Sequence, residues 1–284
     1  MFPRVFNQAV EEVLNAGGKL IRPVLALCAA EINGRPYNAR ALDSAVALEL
    51  VHVSSLILDD IIDESPKRRG IKSLHVKYGN DVAIVSAGML LLRGLRDVAE
   101  VKRTRKIGYD AFLKLVLGQA IEARGNIRSE REYLRMIELK TATLFEAAML
   151  IGSAAGNLGR VKTSKLINYG RAIGIAFQLK DDLLDFIGSE NKLGKPIGSD
   201  FRNGKPSIVT VRLYKAPGTN RVRLSQRATL QARKSASTEE IIRQVEQLAN
   251  EYSEHALAAI EDLRDTPAKR CLIELGRSIC RRDS

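Results

Sequence analysis

The chain has 284 residues, 45 % hydrophobic and 27 % charged, an ordinary soluble composition with enough apolar material for one large core. No run of about 18 apolar residues occurs, which rules against a membrane-spanning helix, and three cysteines (Cys28, Cys271, Cys280) without C-x-x-C spacing argue against a disulfide framework or a zinc site. The net charge of +12 suggests nucleic acid, but with no Trp, few aromatics and no recognition motif, no nucleic-acid partner is expected; a solvated basic surface, or attraction of an anionic substrate or membrane surface, fits better.

The chain opens with an amphipathic stretch lacking the parts of a signal peptide, and with few, unpaired cysteines the cytoplasm is the expected compartment. Apolar residues in "NQAVEEVLNAG" recur at three- and four-residue intervals and stop at Gly17-Gly18, a helix ending at its glycine signal. "RPVLALCAAEI" starts a second helix with a Pro near its first turn, and Cys28 within it is expected in the core. "ARALDSAVALELVHVSSLILDDIID" is one long helix, apolar on most sides near its end and therefore central. Further helices follow in "DVAIVSAGMLLLRGLRDVAEV", "YDAFLKLVLGQAIEARGNI", "SEREYLRMIELKTATLFEAAMLIGSAAG" and "SKLINYGRAIGIAFQLKDDLLDFIG". A Gly- and Pro-bearing stretch, 188–207, is long enough to be a functional loop. "SIVTVRL" suits a strand or a buried helix; "STEEIIRQVEQLANEYSEHALAAIEDL" opens on a capping box from Ser237 to Glu240, and "PAKRCLIELGRSICRR" is the last helix. The whole, 1–284, is expected to be one all-α domain.

Two segments carry the same motif. D-D-x-x-D occurs as Asp59, Asp60 and Asp63, and again as Asp181, Asp182 and Asp185, each closing a long apolar helix. The first and last aspartates of each motif lie about 40° apart on one helix face. Like charges at that spacing, added to the partial negative charge of a helix C-terminus, are destabilising unless cations are bound. Lys67, Arg68 and Arg69 lie beyond the first cluster, so ion pairs are not expected to offset it. All-oxygen ligands select hard cations, Mg²⁺ first, with water and phosphate oxygens completing the shell. Facing clusters of this kind would clamp a diphosphate through several Mg²⁺ ions. Cationic counterparts stand in "GGKLIRP" (Lys19, Arg22), "PKRRG" (Arg68, Arg69), "LKTATLF" (Lys140, with Thr141) and the long loop (Lys195, Lys205). His52 lies two helical turns before Asp59 on its face.

"GGKLIRP", "LVHVSSLILDDIIDESPKRRG", "LKTATLFEAA" and "FQLKDDLLDFIGSENKLGKPIGSDFRNGK" together resemble the trans-isoprenyl diphosphate synthases, or polyprenyl synthetases, in the order that family has them. The resemblance implies an isoprenoid synthase fold, a single helical bundle around a deep apolar cavity. It also implies Mg²⁺-dependent head-to-tail condensation of isopentenyl diphosphate with an allylic prenyl diphosphate, through an allylic carbocation. It assigns Mg²⁺ to Asp59, Asp63, Asp181 and Asp185, with Asp60 and Asp182 as supporting carboxylates. It assigns the allylic diphosphate to Arg68, Lys140, Thr141, Gln178, Lys195 and Lys205, and isopentenyl diphosphate to Lys19, Arg22, His52 and Arg69. A homodimer is the usual assembly, and a long apolar product would bring peripheral contact with an anionic membrane. Leu20, Met89 and Lys180 depart from the family pattern, but none replaces a metal ligand.

The product is expected to grow down the helix of Asp59 toward its N-terminus. Ser54 and Ser55 then form the pocket floor, and two small side chains there leave room for twenty carbons or more. Two rivals share these motifs. A class I terpene synthase is disfavoured by the second D-D-x-x-D and by Lys19, Arg22 and Arg69. A non-catalytic subunit of a heteromeric synthase is disfavoured by the intact aspartates.

Overall fold

The structure is a computed structural model and describes residues 4–99, 105–187, 205–213 and 236–281. Twelve α-helices are described: α1 (Arg4–Asn15), α2 (Ile21–Glu31), α3 (Ala39–Ile62), α4 (Leu74–Tyr78), α5 (Asn80–Ala99), α6 (Arg105–Ala123), α7 (Glu130–Ile137), α8 (Thr143–Ala155), α9 (Arg160–Ile187), α10 (Ile208–Leu213), α11 (Ala236–Ala259) and α12 (Pro267–Cys280). None of them is long and apolar enough to cross a membrane. The all-α expectation holds; α4 is a helix that the sequence reading leaves out, and four other points are local.

First, Lys67–Arg68 (β1) and Ile71–Lys72 (β2) form a small antiparallel ladder that the sequence reading leaves out. Second, the helix expected from Ser129 onward is interrupted: α7 passes into a π-helical turn over Glu138–Ala142 before α8, and such bulges gather at functional sites. Third, "SIVTVRL" resolves as the buried helix α10. Fourth, α11 begins at Ala236, which puts Ser237 inside its first turn and not at the N-cap.

The chain divides into two compact units. The first comprises Met1–Leu113, Leu144–Gly170 and Ala259–Ile273; the second comprises Lys114–Thr143, Arg171–Ala258 and Glu274–Ser284. In the first unit, α3 starts where Asn38 accepts a hydrogen bond from the Ala41 N–H at 3.0 Å, an N-cap. Ala9, Val53, Ile57, Leu74, Ala87 and Leu90 form a core among α1, α3, α4 and α5. Close approach is set by small residues: a Cβ on Gly94 would meet the Ala47 carbonyl at 2.6 Å. Cys28 is buried as expected, and neither Cys28 nor Cys271 is in a disulfide.

In the second unit, Ser129 and Glu132 form a capping box at the start of α7. Tyr133, Met136 and Ile137 then pack with Leu179, Leu183 and Phe186 of α9, with Ile208 and Val209 of α10, and with Val245 and Ala249 of α11.

Candidate active site

Asp59 and Asp60 belong to the last turn of α3, and Asp63 is its C-cap, its N–H bonded to the Asp59 carbonyl at 2.8 Å. Asp59 and Asp63 are half-buried and Asp60 is buried. Just beyond, Arg69 and Gly70 have φ of 51° and 82° between the paired residues Arg68 and Ile71. Two positive φ values in a two-residue loop are what a type I′ hairpin requires. This turn folds the chain back, and Arg68 Nε donates to Asp60 Oδ1 at 2.7 Å. The expectation that no ion pair relieves the first cluster is therefore corrected for Asp60: a tight hairpin returns a residue that local helix geometry places out of reach. Burial still pushes the Asp60 carboxyl above its ordinary value, against the pull of Arg68.

A second group in the same unit gathers around Arg22. Its Nη1 donates to His52 Nε2 at 3.0 Å, and its guanidinium lies 4.9 Å from the Phe145 ring centre, within cation–π range. Burial, aided by Arg22, Arg69 and Arg68, holds His52 well below the ordinary histidine value. His52 is thus neutral and accepts the hydrogen bond. Arg69 donates from Nη1 to the Gly17 carbonyl and has Nη2 3.9 Å from Glu49 Oε1. Burial raises the Glu49 carboxyl, opposed by Arg22 and Arg69. Lys19 is exposed beside this group in sequence, and Leu20 takes a left-handed conformation at the N-cap of α2 with no side-chain cap.

In the second unit, α9 carries Gln178, Asp181, Asp182 and Asp185. Asp181 is exposed, whereas Asp182 and Asp185 are buried. Among the described residues Asp182 accepts hydrogen bonds from Gln178 Nε2 to Oδ1 at 2.9 Å, from the Tyr133 hydroxyl to Oδ2 at 2.5 Å, and from the Ile208 N–H to Oδ2 at 2.9 Å. Thr141 Oγ1 donates to Gln178 Oε1 at 2.7 Å, which ties the π-helical turn to α9. Burial, then Asp182, pushes the Tyr133 phenol well above its ordinary value, so it stays a donor. Lys140 is ion-paired with Glu122 of α6, and a Cβ on Gly118 would overlap the Lys140 backbone. Lys205 is half-buried just ahead of α10. Lys195, most of the loop 188–207 and the basic segment 221–234 lie outside the described residues.

The two serines differ. Ser54 is fully buried and its hydroxyl donates to the Ala87 carbonyl of α5 at 2.9 Å. Ser55 bonds back to the His52 carbonyl at 2.7 Å and carries no bond to a neighbouring helix among the contacts described.

Among the described residues, no three His, Cys, Asp or Glu side chains converge to hold a metal ion by themselves. Mg²⁺ needs no such cage. It binds one or two carboxylates and completes its shell with water and substrate phosphates, and the pairs Asp59/Asp63 and Asp181/Asp185 are all-oxygen donors of that kind.

The sequence reading passed over Tyr133, Glu122, Glu49 and Phe145. For Tyr133 a signal existed. It stands in the apolar stripe Tyr133–Met136–Ile137, and a buried phenol needs a hydrogen-bond acceptor. Nothing local marks the other three.

The family model for polyprenyl synthetase matches residues 3–247 of this chain. A short chain isoprenyl diphosphate synthase of Methanothermobacter thermautotrophicus is 38 % identical, over 78 % of this chain and 71 % of its own. A heptaprenyl diphosphate synthase component 2 of Geobacillus stearothermophilus is 32 % identical, over 98 % of this chain and 90 % of its own. Among solved structures, the geranylgeranyl pyrophosphate synthetase of Pyrococcus horikoshii superposes with a TM-score of 0.88 at 30 % identity, covering 99 % of this chain and 91 % of that one. The fold is therefore the all-α isoprenoid synthase fold that the motifs led us to expect. With both aspartate-rich helix ends and every basic group described above inside the matched span, the chain belongs to the polyprenyl synthetase family.

Proposed function

We propose that this protein condenses isopentenyl diphosphate with an allylic prenyl diphosphate head to tail, giving a trans-polyprenyl diphosphate of twenty carbons or more. The observation that carries the reading is a doubling: two D-D-x-x-D motifs, each ending a long apolar helix and each bonded to further polar groups, in a chain of this family. On this reading residues 1–284 act as a single polyprenyl synthetase domain.

Asp59, Asp63, Asp181 and Asp185 would hold Mg²⁺, with Asp60 and Asp182 in support. Bound Mg²⁺ supplies neutralisation of the diphosphate as its bond to the allylic carbon breaks. Arg68, Lys140, Thr141, Gln178, Lys195 and Lys205 bind the allylic diphosphate. Lys19, Arg22 and Arg69 bind isopentenyl diphosphate. His52 acts there by accepting the Arg22 hydrogen bond, which fixes the guanidinium without adding charge. The double bond of isopentenyl diphosphate attacks the allylic cation, and the proton then lost passes to the released diphosphate. No protein nucleophile takes part; the residues bind, orient and exclude water.

The partner is a second copy of this chain. In support, α6 exposes Tyr109, Leu113, Val116 and Leu117 at helical spacing, an apolar stripe that a partner surface would cover. The cytoplasm is the proposed compartment, with the positive chain drawn to an anionic membrane when the product is long.

The test is incubation of the purified protein with isopentenyl diphosphate, an allylic primer and Mg²⁺. Elongated prenyl diphosphate is expected, with chain length read from the same reaction and activity abolished by a chelator. No metal-dependent elongation with geranyl, farnesyl or geranylgeranyl diphosphate would overturn the reading.

A further inference from the structure

Asp182 is the middle residue of the second motif, and its surroundings differ from those of the flanking aspartates. A carboxylate has about four acceptor sites on its two oxygens. Among the described residues, three donors occupy such sites: Gln178 one turn earlier on the same helix, Tyr133 on α7, and the N–H of Ile208, the first residue of α10. A buried carboxylate must be paired or hydrogen-bonded, and Asp182 meets that need with protein donors. Asp181, its neighbour, points about 100° away around the helix and is exposed.

The three donors do not serve Asp182 equally. Gln178 belongs to the same helix, so its bond adds no tie between elements. The Ile208 N–H joins α9 to the segment 205–208, where Lys205 stands. The Tyr133 hydroxyl shares Oδ2 with that N–H, and so sets where the oxygen lies. Tyr133 is itself fully buried among Met136, Ile137 and the α10 side chains, which gives its ring one position.

We propose that Tyr133 is a positioning residue for the second aspartate-rich motif: by holding Asp182, it locks the helix that carries Asp181 and Asp185 to the segment that carries Lys205. The proposal rests on the prenyl-transfer reading for what Asp181, Asp185 and Lys205 bind. Tyr133 touches neither metal nor substrate in this scheme. Asp182 is an anchor and not a Mg²⁺ ligand.

The test compares full-length wild type, Tyr133→Phe, Asp181→Asn, Asp182→Asn and the double variant Tyr133→Phe/Asp182→Asn. Mg²⁺ is titrated calorimetrically into protein saturated with inorganic pyrophosphate, and steady-state kinetics are measured alongside. Removing an outer-shell hydrogen bond costs about tenfold in metal affinity or activity at the low end. Tyr133→Phe is therefore expected to weaken Mg²⁺ binding and lower kcat, each about tenfold, while KM for isopentenyl diphosphate stays unchanged. Adding Tyr133→Phe to Asp182→Asn should cost little more, because both remove one contact. Wild-type Mg²⁺ affinity and kcat in Tyr133→Phe overturn the proposal, as does a fall in melting temperature with both KM values raised together. If Tyr133→Phe does not fold, Asp182→Asn decides: a similar tenfold loss supports the anchor, whereas no change, or a loss as large as in Asp181→Asn, overturns it. A wild type without prenyl transfer would remove the functional reading, and the pyrophosphate titration would still decide the role of Tyr133.

Discussion

A Cβ on Gly18 would lie 2.7 Å from the Arg69 guanidinium, and the Gly17 carbonyl takes a hydrogen bond from the same side chain. The paired glycines that look like a simple helix stop are thus also the seat of an arginine 52 residues away. Arg22 and His52 make the same point. Their hydrogen bond requires a neutral ring, and burial enforces it. A histidine depressed in the fold but ordinary when unfolded, at 6.5, binds its proton only in the unfolded chain as pH falls. Stability is therefore present above that value and lost below it. Between about pH 7.5 and about pH 5.5 the melting temperature should fall further for wild type than for His52→Asn, because each pH unit below the unfolded value costs up to about 1.4 kcal/mol. Parallel melting curves for the two proteins across that range would show that His52 is charged in the fold.

Single elements carry the next layer. On α3, Ser54 and Ser55 are adjacent, yet only Ser54 bonds to α5, through the Ala87 carbonyl. Small-to-large changes in a packed contact cost about 1–3 kcal/mol, so Ser54→Phe should lower the melting temperature. Ser55 is buried too, but among the described contacts its hydroxyl bonds only within α3, so Ser55→Phe should lower the melting temperature less and shorten the product. The measurements are thermal melts and chromatography of the dephosphorylated products; an unchanged product distribution in Ser55→Phe would remove Ser55 from the pocket floor. The π-helical turn is another matter of the element. Thr143 Oγ1 bonds the Glu138 carbonyl at 3.1 Å across it, and the turn sets the phase at which Lys140 reaches Glu122 and Thr141 reaches Gln178. An uninterrupted helical pattern in the sequence conceals it, because apolar periodicity is nearly the same on both sides of one extra residue.

At the scale of the whole molecule, the apolar stripe of α6 is the surface that the proposed homodimer would cover. Leu113 and Leu117 are 60 % and 49 % exposed, which a solvated helix face does not favour. Leu113→Asp/Leu117→Asp should convert a particle of twice the chain mass into one of single mass by light scattering, with the helical circular dichroism retained. A wild type that is already monomeric would remove the homodimer. The net charge of +12 belongs to this scale too, and it acts on the approach of diphosphates before any one contact forms.

The sequence alone determined most of the helices, their apolar faces and the two aspartate clusters. Helix period and local charge spacing are properties of neighbouring residues, and they survive without a fold. It also sufficed for the class of chemistry, prenyl transfer, since the two aspartate-rich motifs and their basic neighbours occur in the order that the polyprenyl synthetase family has them. The tertiary structure decided who meets whom: Arg68 with Asp60 through a two-residue turn, Arg22 with neutral His52, Ser54 with α5, and Tyr133 with Asp182 across 49 residues. All but the first depend on the packing of elements distant in the chain, where polar groups taken away from bulk water by burial must find partners.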